Sequence, residues 1–134
     1  MTGTGLADEA VARLRDAARV AAANAYAPYS GFRVGAACIG NDGRIHCGSN
    51  VENASYGLTI CAERNAIFQA VAAGQKKIQA LLVYTPTPEP VTPCGACRQV
   101  ICEFGDGIRV ICCCDGTDVR EFMSGDLLPD RFML

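Results

Sequence analysis

Two short cysteine motifs constrain the fold of this 134-residue chain more than any other feature. The first reads Cys-Ala-Glu at residues 61–63, and the second reads Pro-Cys-Gly-Ala-Cys at residues 93–97. The surrounding pattern predicts that each motif opens a helix. A helix N-terminus offers free N–H groups and a partial positive charge, which favour a thiolate over a thiol. Two such helix starts that meet would form a site for a cation held by sulfur, so we expect the fold to bring them together.

The spacing of the cysteines indicates three sulfur ligands. Cys94 and Cys97 are three residues apart on a predicted helix and can face one point, where Cys61 would supply the third sulfur. The only histidine, His46, lies outside both motifs, so a three-ligand set must be all cysteine. Catalytic zinc has three protein ligands and keeps a fourth position open. We therefore predict one Zn²⁺ per chain.

Glu63 lies two residues after Cys61. Zinc deaminases as a class combine a three-cysteine set of this kind with a glutamate that acts as general acid and base and does not bind the metal. The alternatives are a structural zinc site, closed by Cys102 or by one of residues 112–114, or sulfurs that are simply buried. The carboxylate beside a ligand favours a catalytic site.

A cation is expected near the sulfurs, because three thiolates around Zn²⁺ carry a net negative charge. Arg64 and Arg98 each follow a motif directly, and either could donate hydrogen bonds to the sulfurs. We favour Arg64.

Helices and strands interleave along the chain. Helices are predicted over residues 6–25, 61–73 and 94–104. Strands are predicted over residues 32–39, 44–49, 78–84, 109–114 and 119–123, with one helical turn in the tail at 124–134. Pro28 is expected to end the first helix, and Gly74 the second. This order predicts an α/β fold: a three-layer α/β/α sandwich around a mixed five-stranded sheet, in a single domain over residues 1–134.

Composition narrows the partners. The net charge is −2, and no basic cluster extends beyond the pair at residues 76–77, which argues against nucleic-acid binding. No apolar run approaches the roughly 20 residues of a membrane span. No export signal is visible, so we expect a cytoplasmic protein, and its nine cysteines are read as metal ligands and buried apolar side chains rather than disulfides.

Both motifs resemble the small, homotetrameric cytidine deaminases. The wider matches are Tyr-Ala-Pro-Tyr-Ser-Gly-Phe at 26–32, Asn-Val-Glu-Asn-Ala at 50–54, Cys-Ala-Glu-Arg-Asn-Ala at 61–66, Pro-Cys-Gly-Ala-Cys-Arg-Gln-Val at 93–100 and Leu-Leu-Pro at 127–129. The resemblance implies hydrolytic deamination of cytidine, and of 2′-deoxycytidine, in pyrimidine salvage. Glu63 would move protons between water, N3 and the leaving amine at C4.

The resemblance also implies how the substrate is bound. Asn50 and Glu52 would hydrogen-bond the ribose, and Phe32 would pack on the pyrimidine or the ribose. The Ala62 backbone N–H would read the pyrimidine edge together with Glu63. Each residue also has a plainer interpretation: Phe32 as core, and Asn50 and Glu52 as a solvated strand end.

Further residues would act at subunit boundaries or behind the metal. Tyr29 and Tyr56 would lie near the site, at a subunit boundary, with Tyr56 among the substrate-binding residues, unless both only pack. Phe132 would close a neighbouring subunit's pocket. Gln99 would support the metal ligands.

Rival functions are deamination of another small aminated base or nucleoside (of the blasticidin type), nucleic-acid editing, and a non-catalytic zinc-stabilised module. The remaining cysteines are expected to be buried apolar side chains without a catalytic role: Cys38, Cys47, Cys102, Cys112, Cys113 and Cys114.

Overall fold

The computed structural model describes residues 6–134. Within them, one mixed sheet has the strand order β2-β1-β3-β4-β5. The strands are β1 (Gly35–Gly40), β2 (Ile45–Ser49), β3 (Ile78–Thr85), β4 (Arg109–Cys114) and β5 (Arg120–Met123). Only β3 and β4 pair in parallel, and the other neighbours are antiparallel. The predicted α/β fold with a mixed five-stranded sheet is confirmed.

Helices cover both faces of the sheet, which gives the predicted three layers. They are α1 (Asp8–Ala23), α2 (Ala62–Ala72), α3 (Gly95–Glu103) and α4 (Ser124–Leu127), with a 3-10 turn at Tyr56–Leu58. Alternate residues of the central strands divide between the layers. Ala37 and Leu82 pack with α1, whereas Cys38 and Leu81 belong to the opposite core, under α2 and α3.

Two glycines let helices approach the sheet closely. A Cβ at Gly35 would lie 1.9 Å from the carbonyl oxygen of Ala18 in α1. A Cβ at Gly48 would lie 2.5 Å from the backbone nitrogen of Ala66 in α2. Larger side chains at these positions would push the helices outward, so the glycines on β1 and β2 set the distance between layers.

The metal motifs meet because α2 and α3 both run antiparallel to β3. Helix α2 leads into the amino end of β3, and α3 follows from its carboxyl end. The N-termini of both helices therefore lie at the carboxyl end of β3. Cys61 and Cys94 are the residues that immediately precede them.

Two predicted boundaries were wrong. The first helix ends at Ala23, well before Pro28, because the following segment leaves the helix to bridge the region around Val51, with the Tyr26 N–H donating to Asn50 O. The first strand starts at Gly35, so Phe32 lies in a loop. The other strand and helix ends agree with those predicted to within two residues, and β4 matches at both ends. Gly74, at φ +89°, follows α2 as expected.

The buried cysteines are confirmed with one exception. Cys38, Cys102 and residues 112–114 are buried, but Cys47 is exposed. Cys47 lies on β2, which is an outer strand of the sheet and has a neighbour on one side only. Across residues 6–134, no helix has the length and apolar character of a membrane span.

Candidate active site and metal centre

Three thiols come together where α2 and α3 begin. The Sγ atoms of Cys61 and Cys94 are 3.8 Å apart, and those of Cys61, Cys94 and Cys97 all lie within 4.8 Å of one another. Two sulfurs bound to one tetrahedral zinc, each at about 2.3 Å, would be about 3.8 Å apart. The three cysteines therefore fit Zn²⁺, and no other group of this kind occurs in residues 6–134.

The position of each thiol follows from the helix starts. Cys61 and Cys94 are N-cap residues with extended backbones, and neither side chain caps its own helix. Their sulfurs are thus available to a metal beside the positive ends of two helix dipoles. Cys97 lies in the first turn of α3 and is fully buried. The predicted meeting of the two motifs is what the fold produces.

Arg64 is the cation beside the sulfurs. Its Nη2 lies 3.5 Å from Cys61 Sγ, and hydrogen bonding to Cys61 is the main reason that the pKa of Arg64 is raised. Arg98, the other candidate, directs its guanidinium away from the thiols, to Pro93 O, Leu127 O and Thr92 Oγ1. The geometry thus favours Arg64 as the group that offsets thiolate charge.

The thiols do not release their protons equally. Hydrogen bonds from Cys97, Arg64 and Cys94 lower the pKa of Cys61 to about 5. The largest contribution comes from Cys97. The pKa of Cys97 is raised, because it donates to Cys61 and is buried. Cys61 is therefore the first thiolate, and metal binding would draw off the remaining protons.

Glu63 lies in the first turn of α2 and is only 5% exposed. Its pKa is raised to about 7, mainly by burial, and the neighbouring charge of Cys61 contributes in the same direction. A carboxyl group whose pKa lies near neutrality can both take up and release a proton.

Glu63 lines a small cavity of about 200 Å³ beside the thiols. Its lining is Phe32, Val34, Asn50, Thr59, Cys61, Ala62, Glu63, Val91, Thr92 and Cys94. Six of these were predicted as site residues from the sequence. The other four were missed, although Thr59, Val91 and Thr92 lie within three residues of a metal motif and adjacency could have suggested them. Val34 is not next to a metal motif, and its backbone N–H donates to Asn50 Oδ1 at 2.8 Å.

Comparison with known proteins agrees with this geometry. Residues 9–114 match the family model for the cytidine and deoxycytidylate deaminase zinc-binding region. The chain belongs to this deaminase family. A cytidine deaminase from Sporosarcina psychrophila is 48% identical over 109 residues, which cover 81% of this chain and 80% of that protein.

Solved structures of family members share the fold. A cytidine deaminase from Burkholderia pseudomallei superposes with a TM-score of 0.87 at 48% identity, covering 95% of this chain and 100% of that one. The cytidine deaminase from Mycobacterium tuberculosis gives a TM-score of 0.83 at 42% identity, covering 96% and 100%. The family model is that of a zinc-binding region, and the three thiols are positioned to bind a metal.

Asn50 and Glu52 face different cavities. Asn50 lines the cavity of Glu63, and its amide is paired with backbone: Oδ1 accepts from Val34 N at 2.8 Å, and Nδ2 donates to Phe32 O at 2.8 Å. Glu52 lines an adjacent open cavity of about 370 Å³, together with Tyr29, Ser30, Asn53, Tyr56 and Thr59. Thr59 lines both cavities, so the two adjoin at this residue.

Glu52 is held as a carboxylate by the turn beside it. The backbone N–H groups of Tyr29 and Ser30 donate to its Oε1 at 2.9 and 3.1 Å, and the Ser30 hydroxyl donates to Oε2. The bond from Ser30 is the main reason that the pKa of Glu52 is lowered. The open cavity therefore has an anionic acceptor in its wall.

The aromatic residues predicted at subunit boundaries are exposed on this chain. Tyr29 is 57% exposed, Tyr56 82% and Phe132 71%. Gln99 donates its amide N–H to Phe132 O at 3.1 Å, so that this group binds the tail and not a thiol. Support of the metal ligands by Gln99 stays a prediction, as do the roles of the three aromatic residues.

Replacing Cys97 by alanine should remove zinc, since only two of the three sulfurs remain. We expect elemental analysis to fall from about one zinc per chain to far below it, with loss of catalytic activity. Cys113→Ala is the matched control, because Cys113 is equally buried but packs in the core under α1. Cys97→Ala protein that keeps a full complement of zinc would contradict the ligand assignment.

Proposed function

We propose that this chain hydrolyses cytidine, and 2′-deoxycytidine, to the corresponding uracil nucleoside and ammonia. The observation that carries the proposal is the buried Glu63 at the edge of a mainly apolar cavity, beside three thiols that fit zinc. The relatives named cytidine deaminase, at up to 48% identity over most of both chains, support the same reaction.

Cys61, Cys94 and Cys97 would hold the zinc, and Arg64 would offset the thiolate charge. When bound, zinc supplies a Lewis acid that makes water a nucleophile near neutral pH. Glu63 accepts one proton from the attacking water and delivers it to N3 of the pyrimidine. It then moves the second water proton from the hydroxyl group at C4 to the amine that leaves C4. Water adds one oxygen to C4, and ammonia carries away the nitrogen, so atoms balance. One carboxyl group serves each transfer because its pKa is close to neutrality.

The cavity suits a flat, partly polar base. Phe32, Val34 and Val91 give it apolar walls, against which a pyrimidine ring can pack. The Ala62 N–H lies at the free N-terminus of α2, where helix N–H groups lack intrahelical partners. This N–H and Glu63 would read the hydrogen-bonding edge of the base, while apolar walls exclude bulk water.

The ribose would extend toward the adjacent open cavity. Asn50, at the inner cavity, and Glu52, at the outer one, would share its hydroxyl groups between them. The Glu52 carboxylate keeps acceptor capacity beyond the bonds from the Tyr29–Ser30 turn, because two carboxylate oxygens offer about four lone-pair positions.

A homotetramer belongs to the proposal, with pockets completed by neighbouring chains. The open outer cavity and the exposed Tyr29, Tyr56 and Phe132 support it. A cytoplasmic location and a role in pyrimidine salvage are further parts of the proposal. Nine free cysteines favour a reducing compartment.

Glu63→Gln separates the enzyme from a zinc-stabilised module. The amide keeps the shape of the side chain but cannot carry the proton. We expect about one zinc per chain, a cooperative melt like that of the parent, and cytidine turnover lowered at least ~10²–10⁴-fold, measured by loss of cytidine absorbance. Parental turnover would end the proposed mechanism, and loss of zinc would make Glu63 a ligand.

Free cytosine should be a far poorer substrate than cytidine, since it lacks the ribose that Asn50 and Glu52 would bind. We expect kcat/KM to fall by about 30- to 800-fold, which corresponds to roughly 2–4 kcal/mol of lost hydrogen bonding in the transition state. Glu52→Gln should lower kcat/KM for cytidine while leaving that for cytosine unchanged. Equal specificity constants for the two substrates would refute ribose recognition.

Shared pockets predict complementation between inactive chains. Phe132→Ala chains retain Glu63, and Glu63→Gln chains retain Phe132, so hybrids contain some pockets with both groups intact. Sedimentation should give the mass of four chains, and a co-refolded mixture should exceed the mean activity of its two components. The same proteins mixed without subunit exchange are the control. A fully active monomer at assay concentration would exclude shared pockets.

A further inference from the structure

The Arg98 guanidinium makes three hydrogen bonds, which join α3 to two other segments of the chain. Its Nε donates to Pro93 O at 2.7 Å, its Nη2 to Thr92 Oγ1 at 3.2 Å and its Nη1 to Leu127 O at 3.0 Å. All three distances are those of normal hydrogen bonds. Arg98 itself is half-buried and does not line either of the two cavities.

Two of the acceptors belong to the active site. Thr92 lines the cavity of Glu63, and the Pro93 carbonyl is part of the peptide bond to Cys94. The Arg98 backbone N–H also donates to Cys94 O at 3.0 Å. The side chain of one residue on α3 therefore fixes both a cavity wall and the peptide next to a thiol.

The third acceptor lies at the start of the C-terminal segment. Leu127 is the last residue of α4, where helix carbonyl groups lack intrahelical donors. Beyond it, the tail is tied back by an ion pair from Arg131 to Asp106 and by the bond from Gln99 to Phe132 O. The segment that carries Phe132 is thus connected through Arg98 to the metal end of the cavity.

The other end of the loop before Cys94 is held independently of Arg98. Asp115 N donates to Thr87 O at 2.9 Å, and Cys114 Sγ lies 3.4 Å from Pro88 O. Removing the Arg98 side chain would therefore release the end of the loop near Thr92 and Cys94, and not the whole loop.

We propose that Arg98 is a positioning residue, which places the Thr92–Cys94 wall and couples it to the C-terminal segment. The role needs arginine, because its planar guanidinium presents five N–H groups in a fixed fork and can serve three acceptors in one plane. Lysine offers a point charge on a flexible chain and cannot reproduce the fork. The inference rests on the proposed function for the identity of the substrate. The placement of the Thr92–Cys94 wall by Arg98 does not depend on that function.

The test compares Arg98→Met, Arg98→Lys and Thr92→Val with Arg13→Met, a control at an exposed position on α1. Zinc affinity is measured by competition with a chromogenic chelator, and kcat and KM for cytidine are measured on zinc-loaded protein. We expect Arg98→Met to lower zinc affinity about 10–100-fold and to raise KM about tenfold or more through misplacement of the wall. Arg98→Lys should recover only part of each loss, and Arg13→Met should match the parent.

Coupling between the two residues gives a second signature. Thr92→Val should raise KM in the parent but have little further effect in Arg98→Met, since the link is already broken. The proposal would be overturned if the effects of Thr92→Val and Arg98→Met on KM were additive. It would also be overturned if Arg98→Met lowered only the melting temperature and left zinc affinity and KM unchanged. If Arg98→Met does not fold, Arg98→Lys and Thr92→Val decide by the same criteria. If the unmodified protein does not deaminate cytidine, the proposed function is refuted. The measurement of zinc affinity still tests the role of Arg98 in that case.

Discussion

The contact between the first turns of α2 and α3 governs the arrangement of the site. The Sγ atoms of the three thiols lie within 4.8 Å of one another. They can share a metal only because both helices begin at the carboxyl end of β3. The parallel pairing of β3 with β4 requires a crossover, and α3 is that crossover. The glycines at positions 35 and 48 set the distances of α1 and α2 from the two faces of the sheet. The packing of the backbone therefore determines where the site forms.

Electrostatics then divides the work among neighbouring groups. Hydrogen bonds from Cys97 and then from Arg64 lower the pKa of Cys61, whereas burial raises the pKa of Glu63 to about 7. The two groups are separated by a single residue, yet one favours a permanent negative charge and the other a mobile proton. Their difference arises from what surrounds each side chain, since Cys61 is half-exposed and hydrogen-bonded while Glu63 is enclosed by the cavity and the core.

Local patterns in the sequence were sufficient for the metal motif and for most strands and helices, because helix starts and ligand spacing depend on near neighbours. They were insufficient where tertiary pairing decides. Phe32 leaves the first strand because the Asn50 amide occupies the backbone groups around it. Asn50 and Glu52, two residues apart in the motif, line different cavities. Cys47 is exposed because strand order, which no local pattern encodes, puts β2 at an edge.

The separation of the thiols along the chain has a consequence for folding. Cys94 and Cys97 are close even in an extended chain, but Cys61 joins them only after α2 and α3 have packed side by side on the sheet. An unfolded chain thus offers two of the three sulfurs as a local pair, and the native fold offers all three. A ligand that binds the native state more tightly stabilises it by mass action. Zinc bound to the three sulfurs would therefore raise the native population relative to the unfolded one, and with it the population in which α2 is docked against α3.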